Sequence, residues 1–432
     1  MVYHELSHQG GGLSRRVKCH FFHLMPYPQL PDDFRERYHG VWVDLPSAEL
    51  FDPRVGHQAY NDYLDELEYA DQVGFDGICV NEHHQNAYGL MPSPNLMVAA
   101  LARRTSQARL VVMGNSVALY NPPTRVAEEM AMLDVLSDGR LVAGFPVGTP
   151  MDTTYCYGEN PTTLRDKYRE GVGLILRAWQ ATEPFAFNGR YTQLRYVNLW
   201  PRPMQQPHPP VWIPGSGSVE TWEWCADNHF LYAYLSYFGY LLGKKVMEGY
   251  WETIAKRGLE PNPYRAGFLQ FVAVAENDAE AERLYSRHAR YFYNRCLHLY
   301  PGFANPPGYT SIATIRRGIE GQVNLAAERS KARESDLTWS QILERGYVVA
   351  GSPDSVVQQL MEMEQTMRVG HLMVLLHFGD MPKDTVQYNT RRFAEEVMPR
   401  LRPVWDEWTD EWWTHAPAVS ANGAVAAQPA TR

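Results

Sequence analysis

Gly77-Ile78-Cys79-Val80-Asn81-Glu82-His83-His84 is the stretch on which the reading of this chain turns. Its first four residues are apolar and read as a short buried strand. The Gln85-Asn86-Ala87-Tyr88-Gly89 that follows is loop material. In parallel α/β folds the carboxyl ends of the strands face the ligand. A Glu-His-His cluster placed there supplies a proton carrier near neutral pH, a carboxylate to orient it and a second imidazole. A lone histidine at a strand end more often only hydrogen-bonds backbone. A charged triplet directly after an apolar strand reverses that balance.

Outward from this strand, strands and amphipathic helices alternate almost throughout. Strands are predicted over 17–22, 77–80, 110–117, 141–145, from 211, over 230–235, 267–274 and 371–376. Helices are predicted over 60–73, 97–105, 124–136, 163–180, 219–227, 279–296, 353–367 and 385–401. A hairpin over 185–199, with Asn188-Gly189 as its turn signal, interrupts the pattern. About eight βα units predict a single (β/α)8 TIM barrel rather than two domains. The barrel is expected over 17–402. Insertions near 26–58 and 297–343 are rich in Pro and aromatic residues and read as covers. Residues 1–16 are expected to be disordered, and 403–432 form an extension disordered from about 416.

The chain has 432 residues, a net charge of −9 and 45% hydrophobic content, enough for a large core. It has no run of roughly 20 apolar residues and no leader-like N-terminus, so the expectation is a cytoplasmic protein. Its five cysteines are scattered without a Cys-x-x-Cys pair, which argues for reduced thiols and against a disulfide frame or structural zinc. The acidic balance gives no reason to expect nucleic acid.

Three further segments are predicted to converge on the Glu-His-His cluster. Gly114-Asn115-Ser116-Val117 ends the third strand, though turn chemistry alone would account for it. Gly215-Ser216-Gly217-Ser218 opens a helix, where glycines, hydroxyls and the helix N-terminus favour a phosphate, and where a plain N-cap is as common. Arg165, early in the helix after the fourth strand, could fork onto that phosphate, although an isolated arginine is usually a surface charge.

Val80 to Leu90, with Glu82-His83-His84 and Tyr88-Gly89-Leu90, resembles the signature of bacterial luciferase-like flavin-dependent monooxygenases. The order continues with Pro123-Thr124-Arg125-Val126-Ala127-Glu128-Glu129, Leu133-Asp134, Ser137-Asp138-Gly139-Arg140, Gly144 and Gly351-Ser352-Pro353. The resemblance implies a barrel that binds reduced FMN from a separate flavin reductase. Oxygen would add to the flavin, and the resulting peroxyflavin would oxygenate a small organic, apolar substrate. By motif position His83 matches the family's catalytic histidine, flanked by Glu82 and His84. Arg165 and Ser216, Gly217 and Ser218 match its flavin-phosphate contacts. Asn115, Ser116 and Val117 match the strand end against the isoalloxazine, where the family often has a non-proline cis peptide. The expected partners are the substrate, the reductase and a second copy of the chain in a homodimer, with neither nucleic acid nor membrane.

The chain departs from luciferase itself. Pro146-Val147 follows Gly144-Phe145, where luciferase has a Cys-Arg pair, and Ser216 replaces an acidic residue. Both changes suit the non-luminous branch. Two other activities remain open at this point. A related barrel family uses a deazaflavin for hydride transfer. A metal-dependent hydrolase would use Glu82, His83 and His84 as ligands. Adjacent residues on a strand alternate direction, and no His-x-His completes a metal set, so no metal is expected, with His20 and His23 keeping that question open. A barrel that binds flavin without chemistry is the third possibility.

Overall fold

The computed structural model describes residues 15–235, 237–321 and 336–413. In chain order its strands are β1 (Lys18–Phe22), β2 (Gly77–Val80), β3 (Arg109–Val112), β4 (Leu141–Gly144), β5 (Phe185–Asn188), β6 (Gln193–Val197), β7 (Val211–Gly215), β8 (Leu231–Tyr234), β9 (Ala266–Val274), β10 (Val348–Gly351) and β11 (His371–Leu375). Eight of them, all but β5, β6 and β10, pair in parallel in the order β9-β11-β1-β2-β3-β4-β7-β8, and β8 returns to β9. The structure is therefore a closed (β/α)8 barrel, as the βα alternation predicts. β5 and β6 form the expected hairpin outside it. Its connection is held by the Glu170 carboxylate, which accepts from the amides of Arg190, Tyr191 and Thr192.

Strand β10 is absent from the sequence prediction. It pairs with Phe271–Val274 of β9, while β8 pairs with Ala266–Phe268 along the same edge. β9, with nine residues, is long enough to take both neighbours in succession. Three predicted boundaries also move. β3 stops at Val112 rather than 117, the Met113–Gly114 peptide is cis, and Val117–Leu119 is a single 3-10 turn. The helix predicted from 60 begins at Pro53, where the Asp52 side chain caps the Arg54 amide, so the first insertion is shorter than expected. The second insertion runs into the helix Trp339–Glu344. Its residues 322–335, the segment 1–14 and the tail from 414 lie outside the described residues. Among the described residues, no helix is long and apolar enough to cross a membrane.

Rings fill the lower end of the barrel. His20 of β1 packs edge-on to Trp212 of β7 at 5.3 Å and stacks on His371 of β11 at 5.4 Å. Gly77 makes room for them, since a Cβ there would lie 2.7 Å from the His20 ring. Trp413 closes the end from below, 4.8 Å from His20 and 5.7 Å from His371. Residues 403–413 thus pack on the barrel instead of extending from it, with Trp405 and Trp412 also buried. Above this filled base, a cavity opens at the carboxyl ends of the strands.

At the upper rim a second histidine pair is buried. His23 Nε2 and His377 Nδ1 both lie against Glu66 Oε2, at 2.9 and 2.8 Å. Among the described residues this trio is the group spaced for a metal. The Met25 amide, however, donates to His23 Nδ1 at 2.8 Å. Neutral His23 must then carry its proton on Nε2 and donate it to Glu66, which leaves no lone pair facing an ion. The trio is a hydrogen-bonded strut between β1, β11 and the helix Pro53–Gln72.

That strut makes stability pH-dependent. Burial lowers the His23 pKa from 6.5 to about 4 and pushes His20 well below its usual value. Burial alone would raise the Glu66 pKa, but its histidine partners leave it lowered. Between pH 6.5 and 4 the unfolded chain binds protons that folded His23 refuses. Stability that is full above pH 6.5 is therefore lost as pH falls towards 4, by about 3 kcal/mol from His23 alone. Thermal melts across this window should show the midpoint falling with pH. His23→Gln should flatten the slope. A wild-type midpoint that stays level from pH 6.5 to 4 would contradict the assignment.

Candidate active site

Over the filled base lies a cavity of about 670 Å³, lined by the ends of β2, β3, β7 and β8, the loop after β4 and residues of the second insertion. At its β3–β4 wall two backbones touch. A Cβ on Gly114 would lie 1.8 Å from the Gly144 carbonyl oxygen, and one on Gly144 would lie 2.1 Å from that of Val112. Only glycine fits at either position. The contact brings Met113 and Ser116 onto the cavity wall.

The histidine cluster divides into two systems. His83 lines the cavity, and its Nδ1 lies 2.9 Å from Asp152 Oδ2. With the Nδ1 proton given to a carboxylate, Nε2 is the ring nitrogen that remains available to a ligand. Asp152 is 1% exposed and sits in the π-helical turn Met151–Cys156 after β4. It also accepts from the His84 amide, the Trp42 indole and the Thr149 hydroxyl, at 2.8, 3.0 and 3.2 Å. Glu82, predicted to orient the proton carrier, bonds to His84 Nε2 at 3.0 Å. Its other oxygen accepts from Tyr120 at 2.7 Å and from Asn115 at 3.1 Å. Burial, and then Glu82 itself, push the Tyr120 phenol up, so it stays a donor. Asp152 is the orienting carboxylate of His83; Glu82 is the anchor of His84.

His84 is accordingly turned from the cavity, with its Nδ1 3.3 Å from the Tyr157 hydroxyl. Asn115 and Val117 also stand behind the wall, Asn115 on Glu82 and Val117 against Gly171 of the helix Leu164–Gln180. Ser116 lines the cavity. Of the Glu82-His83-His84 run, Glu82 and His83 line the cavity and His84 does not; of Asn115-Ser116-Val117, only Ser116 does.

At the far end of the cavity, Arg165, Ser216, Gly217 and Ser218 come together. Arg165 Nη1 donates to Thr221 Oγ1 at 3.1 Å, tying its helix to Val219–Asn228. Gly217 has φ 113°, a conformation that favours glycine. The Ser218 hydroxyl donates to Glu220 at 2.8 Å, so its proton is committed. Thr314, in the helix Ile312–Glu320 of the second insertion, donates to the same carboxylate at 2.9 Å and receives the Val219 amide at 3.1 Å. Lys245 lines this end too, a cation that the sequence motifs did not single out. The Arg165 guanidinium, the Lys245 ammonium and the Ser216 hydroxyl make this end an anion pocket, while the Ser218 and Thr314 hydroxyls and the Val219 amide are spent around Glu220. Between that pocket and His83 the walls are Met113, Pro146, Val147, Tyr237 and Phe238, an apolar slot. An anion pocket joined to an apolar slot fits a flavin mononucleotide.

Asp152 and Trp42 were not identified from sequence. Asp152 follows a Gly-Thr-Pro turn on the ligand face, a weak signal; Trp42 lies in the first insertion, where nothing marks one aromatic above another.

Comparisons with known proteins bear on the family and the fold. A family model described as luciferase-like monooxygenase matches residues 42–368. The 2,5-diketocamphane 1,2-monooxygenase 1 of Pseudomonas putida is 24% identical over 416 residues, covering 89% of this chain and 99% of the relative. The FMN complex of the oxygenating constituent of 3,6-diketocamphane monooxygenase, from the same species, superposes with a TM-score of 0.66 at 19% identity, covering 89% of this chain and 98% of that one. An F420-dependent secondary alcohol dehydrogenase shares the fold with a TM-score of 0.59 at 17% identity, covering 90% and 99%. The two solved structures confirm the barrel. The model match across most of the barrel establishes that the chain belongs to the luciferase-like monooxygenase family, as an enzyme of its flavin-dependent monooxygenase fold.

Proposed function

We propose that this protein is the oxygenase of a two-component system, working as a homodimer. It takes reduced FMN from a separate reductase and uses O2 to oxygenate a small apolar organic molecule. The observation that carries this reading is the His83–Asp152 pair at one end of an apolar slot with an anion pocket at the other. Bound reduced FMN would supply the two electrons that activate O2, one oxygen atom entering the product and the other leaving as water.

The chain's own residues do the rest. Arg165 and Ser216 hold the phosphate, with Lys245 adding charge at the rim. Asp152 fixes the tautomer and direction of His83, whose Nε2 takes or gives a proton at the reacting group. Glu82 locks His84 and the end of β2, so that His83 does not swing. Tyr309, whose hydroxyl donates to the Gly148 carbonyl at 2.7 Å, draws the second insertion over the cavity. Ile315 and Ile319 on that insertion line the opening and exclude water.

Three measurements test the reading. Under anaerobic titration, reduced FMN should bind in preference to a deazaflavin; the reverse order would transfer the chain to hydride chemistry. Arg165→Ala should weaken FMN about 10- to 150-fold, the worth of a charge-assisted contact. Reduced riboflavin, which lacks the phosphate, should barely respond, and an equal loss for both flavins would remove Arg165 from the phosphate site.

His83→Ala and Asp152→Asn should each lower coupled turnover at least ~10²-fold while flavin affinity changes little. Asn at 152 keeps the shape but cannot balance the imidazolium. If Asp152→Asn turns over normally while His83→Ala does not, the carboxylate has no part in proton transfer.

A further inference from the structure

Trp42, in the first insertion, is 3% exposed and is not part of the cavity lining, so it acts on the site only through its neighbours. Those neighbours are the His83–Asp152 pair. The indole N–H points at two acceptors at once, Asp152 Oδ1 and the His84 carbonyl, each at 3.0 Å. The ring stands edge-on to His83 at 4.8 Å and stacks on Tyr88 at 4.9 Å, and Tyr88 in turn stands edge-on to His83 at 5.0 Å. The His84 carbonyl alone would satisfy a buried indole. The share given to a carboxylate that already holds the His84 amide and the Thr149 hydroxyl is more than core packing requires. The loop that carries the indole is pinned on both sides: Val41 accepts the Ala87 amide at 3.2 Å and donates its own to the His298 carbonyl of the second insertion at 2.8 Å.

We propose that Trp42 is a positioning residue for proton transfer: its N–H draws negative charge off Asp152, which keeps His83 from becoming too strong a base and holds its Nδ1 proton toward the acid. The inference rests on the reading of His83 as the proton carrier and adds a device outside the cavity that sets how readily that proton moves. A carboxylate stripped of one donor has more charge to offer its remaining partners, so His83 would keep its proton to higher pH. The other ionisable groups around the pair leave Asp152 in control of it. Tyr88 from the β2 loop, and Cys156 and Tyr157 from the Asp152 turn, are pushed up by burial and stay neutral. Glu82 and His84 are bonded to each other.

The test follows the Cε1 resonances of 13C-labelled histidine across pH by NMR in flavin-free protein, the His83 signal being the one lost in His83→Gln. Trp42→Phe keeps a ring and loses the N–H. In that variant the His83 titration midpoint should move up by about half a pH unit or more. With Asp152→Asn already present, Trp42→Phe should move it little. Benzothienylalanine in place of Trp42, the same bicycle with sulfur for N–H, serves as the second variant and should behave as Trp42→Phe does. The pH profile of kcat/KM in coupled turnover should shift in the same direction.

A His83 midpoint that stays put in both variants, or that moves equally with and without the Asp152 carboxylate, would overturn the proposal and leave Trp42 as core packing. A moved midpoint with an unmoved kcat/KM profile would separate His83 from proton transfer and overturn it as well. A midpoint that moves in protein that binds no reduced FMN would instead uphold the link between indole, acid and base and overturn the flavin reading of the cavity.

Discussion

A carboxylate with almost no access to water is tolerable only if the protein supplies the hydrogen bonds that water would have made. Asp152 is given four, from His83, His84, Trp42 and Thr149. The donors come from the end of β2, from the first insertion and from the turn that carries Asp152 itself. Losing one would leave a buried negative charge undercompensated, so these segments hold one another in register. The position of the proton carrier, the seating of the first insertion and the path of the chain after β4 are consequently one decision. Trp42 shows how tightly it is made, since its indole proton is shared between Asp152 and the His84 carbonyl, each at 3.0 Å.

Glu82 accepts three hydrogen bonds to the four of Asp152 and serves another end. Its donors are Tyr120, Asn115 and His84, which belong to the cavity's outer wall, so it stiffens the wall and leaves the imidazole facing the ligand to the other acid. Two carboxylates within one loop cluster thereby acquire separate tasks from their surroundings alone. The same economy appears at the anion pocket, where Glu220 gathers the hydroxyls of Ser218 and Thr314 and joins the second insertion to the barrel.

The repeating unit of the fold was legible because burial on both faces of a parallel strand leaves an uninterrupted apolar run, and seven of the eight barrel strands fall within a residue or two of that pattern. β3 was overextended because its continuation is equally apolar and polar in turn, and only the backbone contact between Gly114 and Gly144 shows where pairing stops. The Glu82-His83-His84 run was legible as a site, but the roles inside it were not. Which carboxylate meets which imidazole depends on a partner 69 positions away. β10 escaped notice because four apolar residues after a long insertion carry no periodicity of their own.

The pairing of Lys18 with His371 and the seat of Trp413 under His20 join the two ends of the described chain at the base of the barrel. Contacts of such sequence separation form late, because the chain between them must first be ordered. During synthesis β1 therefore waits, with one edge unpaired and the rings of its lower layer uncovered, until residues up to 413 have left the ribosome. An open edge of that kind invites pairing with a neighbouring chain. The yield of folded protein in a cell should thus depend less on the intrinsic stability of the finished barrel than on how well its first strand is shielded while the last is still being made.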